Sequence, residues 1–223
     1  MLGGVELLMG VGLATSAGLN AYIPLLVIGL LARYTDLITL PATWQWLENG
    51  WTLVILAILL AIEVVADKIP VVDHINDVVQ TVVRPGAGGI AFGAAASSTT
   101  VTVQDPGEFF TSNQWVPIAA GVIISLIVHG MKAAARPVVN AATAGVGAPV
   151  VSATEDAFSV GMAVVAVLFP LLIILFLIVL IWLFVVMRRR RRRRKAEKAE
   201  LEALRAELDA LVADERAEYL EKT

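Results

Sequence analysis

The sequence predicts an all-α protein: a polytopic bundle of four or five transmembrane helices, with a charged helix appended at its C-terminus. Three observations predict it. Hydrophobic residues fill 58% of the 223 positions. An almost purely apolar stretch, Val160 to Met187, runs straight into seven consecutive arginines, Arg188 to Arg194. At about 1.5 Å per residue that stretch reaches roughly 42 Å, longer than a hydrocarbon core of about 30 Å. Shorter apolar segments upstream are interrupted by proline and glycine, the pattern of broken or re-entrant membrane segments.

Charge divides the chain unevenly. Residues 1–187 carry 5 Lys/Arg and 11 Asp/Glu, and residues 188–223 carry 12 and 9. An acidic membrane body, 1–187, is thus followed by a polybasic stop-transfer segment and charged helix, 188–223. Cysteine is absent, which excludes disulfides, thiolate metal sites and a cysteine nucleophile. Two histidines, His74 and His129, are too few for a His-rich metal site, and no metal or cofactor is expected. The first ten residues hold only one charge, Glu6, so they lack the basic start of a cleaved signal peptide.

Leu7 to Ala32 is read as the first span. Gly10, Gly12, Ala14, Ser16, Ala17 and Gly18 make its first half small enough for close helix packing. Pro24 disturbs the turn that carries Asn20 and Tyr22. That polar pair fits a binding element, and it equally fits a structural kink with Asn20 bonded to a neighbouring helix. Arg33 to Gly50 is a loop with Trp44 and Trp46 as interfacial anchors.

Trp51 opens the second span, which places Glu63 about 18 Å and Asp67 about 24 Å along it, inside the hydrocarbon depth. Lys68 and Pro70 follow. Val71 to Val83 is amphipathic, with Asp73, Asn76, Asp77 and Gln80 on one face. Arg84-Pro85-Gly86 is expected to break it. Gly86 to Val103, rich in Gly, Ala, Ser and Thr, either spans or re-enters, and Gln104 to Gln114 is a polar loop.

Trp115 opens the next long helix, ended by His129, Lys132 and Arg136 on one face and interrupted by Pro137. Val138 to Ser152 is small and broken. Glu155 and Asp156 precede the final span, which Pro170 is expected to kink.

Two blocks, 51–103 and 115–187, share an order: tryptophan anchor, apolar helix, charged end, proline, broken small-residue segment. Pro70-Val71-Val72-Asp73 matches Pro137-Val138-Val139-Asn140. An internal repeat is expected, and paired interrupted segments in two halves point to a transporter-like site. A charge at the bilayer centre costs about 2.5–3.5 kcal/mol. The economical solution turns the charges inward and pairs Glu63/Asp67 with Lys132/Arg136. A lattice of structural ion pairs, or snorkelling at the interface, would satisfy the same spacing.

The arginine run puts the C-terminus in the cytoplasm. Four crossings leave Lys68 and Arg84 inside, and five leave them outside, so the positive-inside rule favours four. Lys132 and Arg136 fall on the outer side in either case, which suits buried charges better than loop charges. Beyond the run, Leu201, Leu204, Leu208 and Leu211 form a two-heptad seam. It suits a coiled coil between copies or a solvated surface helix. The arginines suit anionic lipid headgroups, and no nucleic-acid partner is expected.

Four motifs, Ala14-Thr15-Ser16-Ala17-Gly18-Leu19-Asn20-Ala21-Tyr22, Glu63-x-x-Ala66-Asp67-Lys68-x-Pro70-x-x-Asp73, His129-x-x-Lys132-Ala133-x-x-Arg136 and Pro149-x-x-Ser152-x-x-Glu155-Asp156, together resemble the bacterial membrane family catalogued as domain of unknown function 4126. The resemblance covers roughly residues 5–175. It implies a multi-pass protein of the bacterial inner membrane and implies no substrate.

A small transporter or channel for an ion or a small anionic solute is the leading expectation. Its site would draw on Asn20, Tyr22, Glu63, Asp67, Lys68, Asp73, Asp77, His129, Lys132, Arg136, Glu155 and Asp156. Carboxylates would carry protons or cations, and Lys132 and Arg136 would hold an anionic group. A lipid-carrier translocase is a variant. A non-catalytic scaffold or assembly factor acting through the C-terminal helix competes with it. No nucleophile motif or metal-ligand spacing supports an enzyme.

Overall fold

The computed structural model describes residues 4–96, 115–143, 146–179, 182 and 186. Residues 1–174 form one compact unit and 175–223 a second. Every regular element among the described residues is helical: α1 (Gly4–Leu19), α2 (Tyr22–Tyr34), a 3-10 turn (Gln45–Glu48), α3 (Gly50–Ala66), α4 (Pro70–Ala96), α5 (Trp115–Thr143) and α6 (Ala148–Leu168). A further helical stretch, 171–179, follows the kink at Phe169–Pro170 that Pro170 was expected to make.

α1 is the hub. It packs against α4, α5 and α6, and everything from Gly12 to Gly18 is buried. Small residues permit this approach: a Cβ on Gly18 would stand 2.7 Å from the carbonyl of Ser125 in α5. α4 and α5 meet equally closely, where any side chain on Gly121 would collide with the backbone of Gly88. Interfaces of small residues, in place of interlocked large ones, are the usual packing of helices in lipid.

The polar pattern is inverted relative to a soluble helix. On α3, Ile55, Ile58, Ile62 and Val65 are exposed, while Glu63 and Asp67 just beyond its end are buried. On α4, Val82 is 78% exposed and Arg84 is 0% exposed. Water would reverse both arrangements. Two helices, α5 and α6, are long and apolar enough to cross a membrane by length and composition.

The break expected at the turn of Asn20 and Tyr22 is present: the first span is two helices, divided at Asn20–Ala21. Pro24 therefore sits in the first turn of α2, where its missing N–H would have had no helical partner. Arg84-Pro85-Gly86 does not end α4, which runs through Pro85 to Ala96; the Ser125 hydroxyl from α5 donates to the Arg84 carbonyl there at 2.8 Å. The carbonyl that Pro85 leaves without its helical partner is that of Thr81, four residues back. Pro137 likewise lies inside α5, which continues past Arg136 to Thr143. The first block thus turns at Pro70 while its counterpart continues through Pro137.

Glu155 and Asp156 lie within α6, not ahead of it. Trp46 is exposed as an anchor would be, whereas Trp44 packs on Gly93. Residues 97–114, the arginine run and the heptad seam lie outside the described residues.

Candidate functional site

Carboxylates and cations from α3, α4, α5 and α6 meet between the helices. α3 ends at Ala66, and the turn that follows aims Asp67 inward, one helical turn beyond Glu63. Asp67, 1% exposed, is the most heavily partnered acid. Its Oδ1 accepts from Asn76 at 2.8 Å, and its Oδ2 lies 3.2 Å from both the Lys132 ammonium and the Arg136 guanidinium. Lys132 and Arg136 also share Glu155 of α6, at 3.0 and 2.9 Å. The third Lys132 donor goes to the carbonyl of Leu19 at 3.1 Å. An ammonium has three donors, so Lys132 is fully engaged.

Arg84 anchors the other side and is completely buried. Its Nη2 donates to Glu63 Oε1 at 2.9 Å, and its Nη1 contacts His129 Nδ1 at 2.9 Å. A guanidinium only donates, so Nδ1 must accept and the His129 proton sits on Nε2. From there Nε2–H donates to Thr81 Oγ1 at 3.1 Å, and the Thr81 hydroxyl donates to the Asp77 carbonyl. Charged His129 would turn an N–H against the Arg84 donor, so this arrangement keeps the ring neutral. Asp77 Oδ1 stands 3.8 Å from Arg84, beyond hydrogen-bond length.

The α1–α2 break is built into the same cluster. Asn20, fully buried, accepts on Oδ1 from the backbone N–H groups of Tyr22 and Ile23, which caps α2. Its Nδ2 donates to Asp156 at 3.0 Å. One turn back, Ser16 and Ser159 exchange hydrogen bonds with each other's carbonyls, fixing α1 on α6 in this register. The carbonyl end of α1 therefore meets Lys132, while the first amides of α2 are taken by Asn20 Oδ1 and Asp156 is held by the Asn20 side-chain amide. The Lys132 contact matches the sign of a helix's C-terminal charge.

The structure brings together Asn20, Glu63, Asp67, Asp77, His129, Lys132, Arg136, Glu155 and Asp156 of the expected residues, with Tyr22 beside Glu63, Gln80 and Arg84. Two corrections follow. Glu63 pairs with Arg84 and not with Lys132 or Arg136, because Arg84 reaches it first from α4. Lys68 is exposed and bonds the carbonyl of Val64, pointing away from the cluster where water or headgroups can reach it. Asp73 lies on α4, but its side chain is outside the described set. Lys132 and Arg136 are buried in ion pairs, which relieves the conflict with the positive-inside rule.

Sequence reasoning missed Arg84, Asn76 and Gln80 as site residues. Arg84 follows Gln80 by four, on the same polar face, and that spacing could have found it. The proline behind it pointed to a helix end instead. Arg136 also borders a small pocket, with room for about one water, lined by Val139, Ala148 and Val151.

The sequence profile of the family described as Domain of unknown function (DUF4126) matches residues 7–190. No curated protein and no solved structure matches the chain.

Proposed function

The chain belongs to the DUF4126 family, and from that premise we propose that it is a small transporter or channel of the bacterial inner membrane, moving an ion or a small anionic solute. The broken helix carries this reading. Helices interrupted at a buried charged site, with one half's amide end and the other's carbonyl end turned into it, are how transporter folds make ion and substrate sites. Here the carbonyl end of α1 meets Lys132, and Asn20, which caps α2, holds Asp156 through its side-chain amide.

The anionic solute competes with Glu155 for Lys132 and Arg136. Glu155 is the carboxylate to displace, because it is 16% exposed where Asp67 is 2% exposed. Four or five crossings, a cytoplasmic C-terminus held by Arg188–Arg194 near anionic headgroups, and a duplication of the 51–103 and 115–187 blocks complete the proposal. The saturation of Asp67 favours a second reading, a membrane scaffold in which the ion pairs only hold helices together.

Reconstitution in liposomes separates the two. Flux of a panel of inorganic anions and monovalent cations, followed with an entrapped pH dye, is expected to fall at least tenfold for Arg136→Ala. For Glu63→Gln it is expected to change its dependence on a pH gradient. Wild-type flux that both substitutions leave unchanged removes the cluster from transport.

A further inference from the structure

We infer that the Arg84 side of the cluster binds one exchangeable proton, carried by Glu63. The inference rests on the transport reading only for its purpose; its geometry stands alone. Three cations face the site among the described side chains: Arg84, Lys132 and Arg136. Four carboxylates face them: Glu63, Asp67, Asp77 and Glu155. His129 is held neutral by its two hydrogen bonds. One negative charge is left over between apolar helices, a state that costs several kcal/mol unless something neutralises it. Asp156, bonded to Asn20, adds to the surplus.

The partners say where the neutralising proton sits. Asp67 and Glu155 each meet both Lys132 and Arg136, so neither has reason to be protonated. Glu63 meets Arg84 through Oε1 alone, and its Oε2 is buried with no hydrogen-bond partner. Asp77 Oδ1 is equally without one, as is the amide oxygen of Gln80, which is 2% exposed. Three buried acceptor oxygens lack a hydrogen here against one unpartnered donor, Arg84 Nε, so the ionised side chains are short of donors. A protonated Glu63 supplies one and removes one of the excess charges in the same step. The groups that face Glu63 are Tyr22 from α2, Asp67 and Lys132 across the cluster, and Arg84 from α4.

A proton suits this place better than a metal cation. The Arg84 guanidinium already occupies one face of Glu63 and would repel a second cation. Among the described residues, no three acidic or histidine side chains are grouped as metal ligands. Release of the proton would leave Arg84 facing two ionised carboxylates, Glu63 at 2.9 Å and Asp77 at 3.8 Å. Arg84 would then be drawn off His129 Nδ1 toward Asp77. Arg84 also lies 3.8 Å from Asp67 Oδ2, the oxygen that Lys132 and Arg136 share, so the proton site borders the Lys132–Arg136 anion site.

Infrared difference spectroscopy of the purified protein in liposomes tests this directly. Wild type at neutral pH is expected to show the carbonyl stretch of a protonated buried carboxyl, shifting in heavy water. The band is expected to vanish in Glu63→Gln and to persist in Glu155→Gln. Glutamine mimics a protonated glutamate, so Glu63→Gln is also expected to keep the wild-type melting temperature. The absence of the band from wild type overturns the inference, and so does its survival in Glu63→Gln. Loss of the band on adding sodium at fixed pH gives the site to a metal cation and overturns it as well. The band does not depend on flux: a band without transport removes the transport reading alone, and transport without a band removes the proton alone.

Discussion

On one side of the cluster, Asp67 receives Asn76, Lys132 and Arg136, and the two cations have Glu155 as well. On the other, Glu63 receives Arg84 on a single oxygen, and Asp77 and Gln80 offer oxygens that nothing bonds. The two sides lie within one bundle and are made of the same residue types. They differ in the number of donors supplied to each acceptor. A saturated group holds its helices in place and resists any change of charge. An undersupplied group is poised to take up a charge from outside. That contrast separates the part of the cluster that holds the bundle together from the part that can act.

Removing the saturated acid tests the contrast most severely. Asp67→Ala leaves Lys132 and Arg136 with Glu155 as their shared counter-ion, and breaking a buried ion pair costs about 3–5 kcal/mol. Thermal unfolding in detergent is expected to show a large drop in melting temperature and a poor yield of folded protein. Glu63→Gln on the undersupplied side is expected to match wild type in the same assay. Equal losses at the two positions would erase the difference between the sides.

The break at Asn20 is next in size. Its side-chain oxygen caps α2 and its amide holds Asp156, so Asn20→Ala loses both. Loss of a cap costs about 1–2 kcal/mol, and the melting temperature should fall by less than for Asp67→Ala. Flux in liposomes is expected to suffer more than stability does, because the break between α1 and α2 would lose its hold on Asp156. A loss of stability with normal flux would make the break a structural kink and nothing more.

Much of this arrangement could be read from the chain. Glu63, Asp67, His129, Lys132, Arg136, Glu155 and Asp156 were legible because intramembrane charges are costly and must find one another. The break near Asn20 was legible through Pro24, although proline marks a disturbed turn without saying on which side the helix ends. Here the Asn20 side-chain oxygen caps the next helix and sets the break at Asn20–Ala21. Arg84 was hidden for the same reason. Pro85 predicts a stop, but α4 runs through it to Ala96, packed against α1 and α5, and sequence distance does not reveal such packing. Which acid meets which base was not legible either, since spacing along a helix gives a face and a depth but no partner.

Lys68 gives the smallest effect and the cleanest control. It stands next to Asp67 in the chain and shares its motif, so by sequence it belongs to the site. Its side chain is exposed and bonds only the carbonyl of Val64. Surface substitutions of this kind change stability by about 0.5 kcal/mol or less. Lys68→Ala is expected to leave both the melting temperature and liposome flux unchanged beside a severe Asp67→Ala. Adjacent residues would then differ in outcome because one faces the bundle and the other does not. If Lys68→Ala proved as damaging as Asp67→Ala, the inward-facing donors would no longer explain what the cluster does.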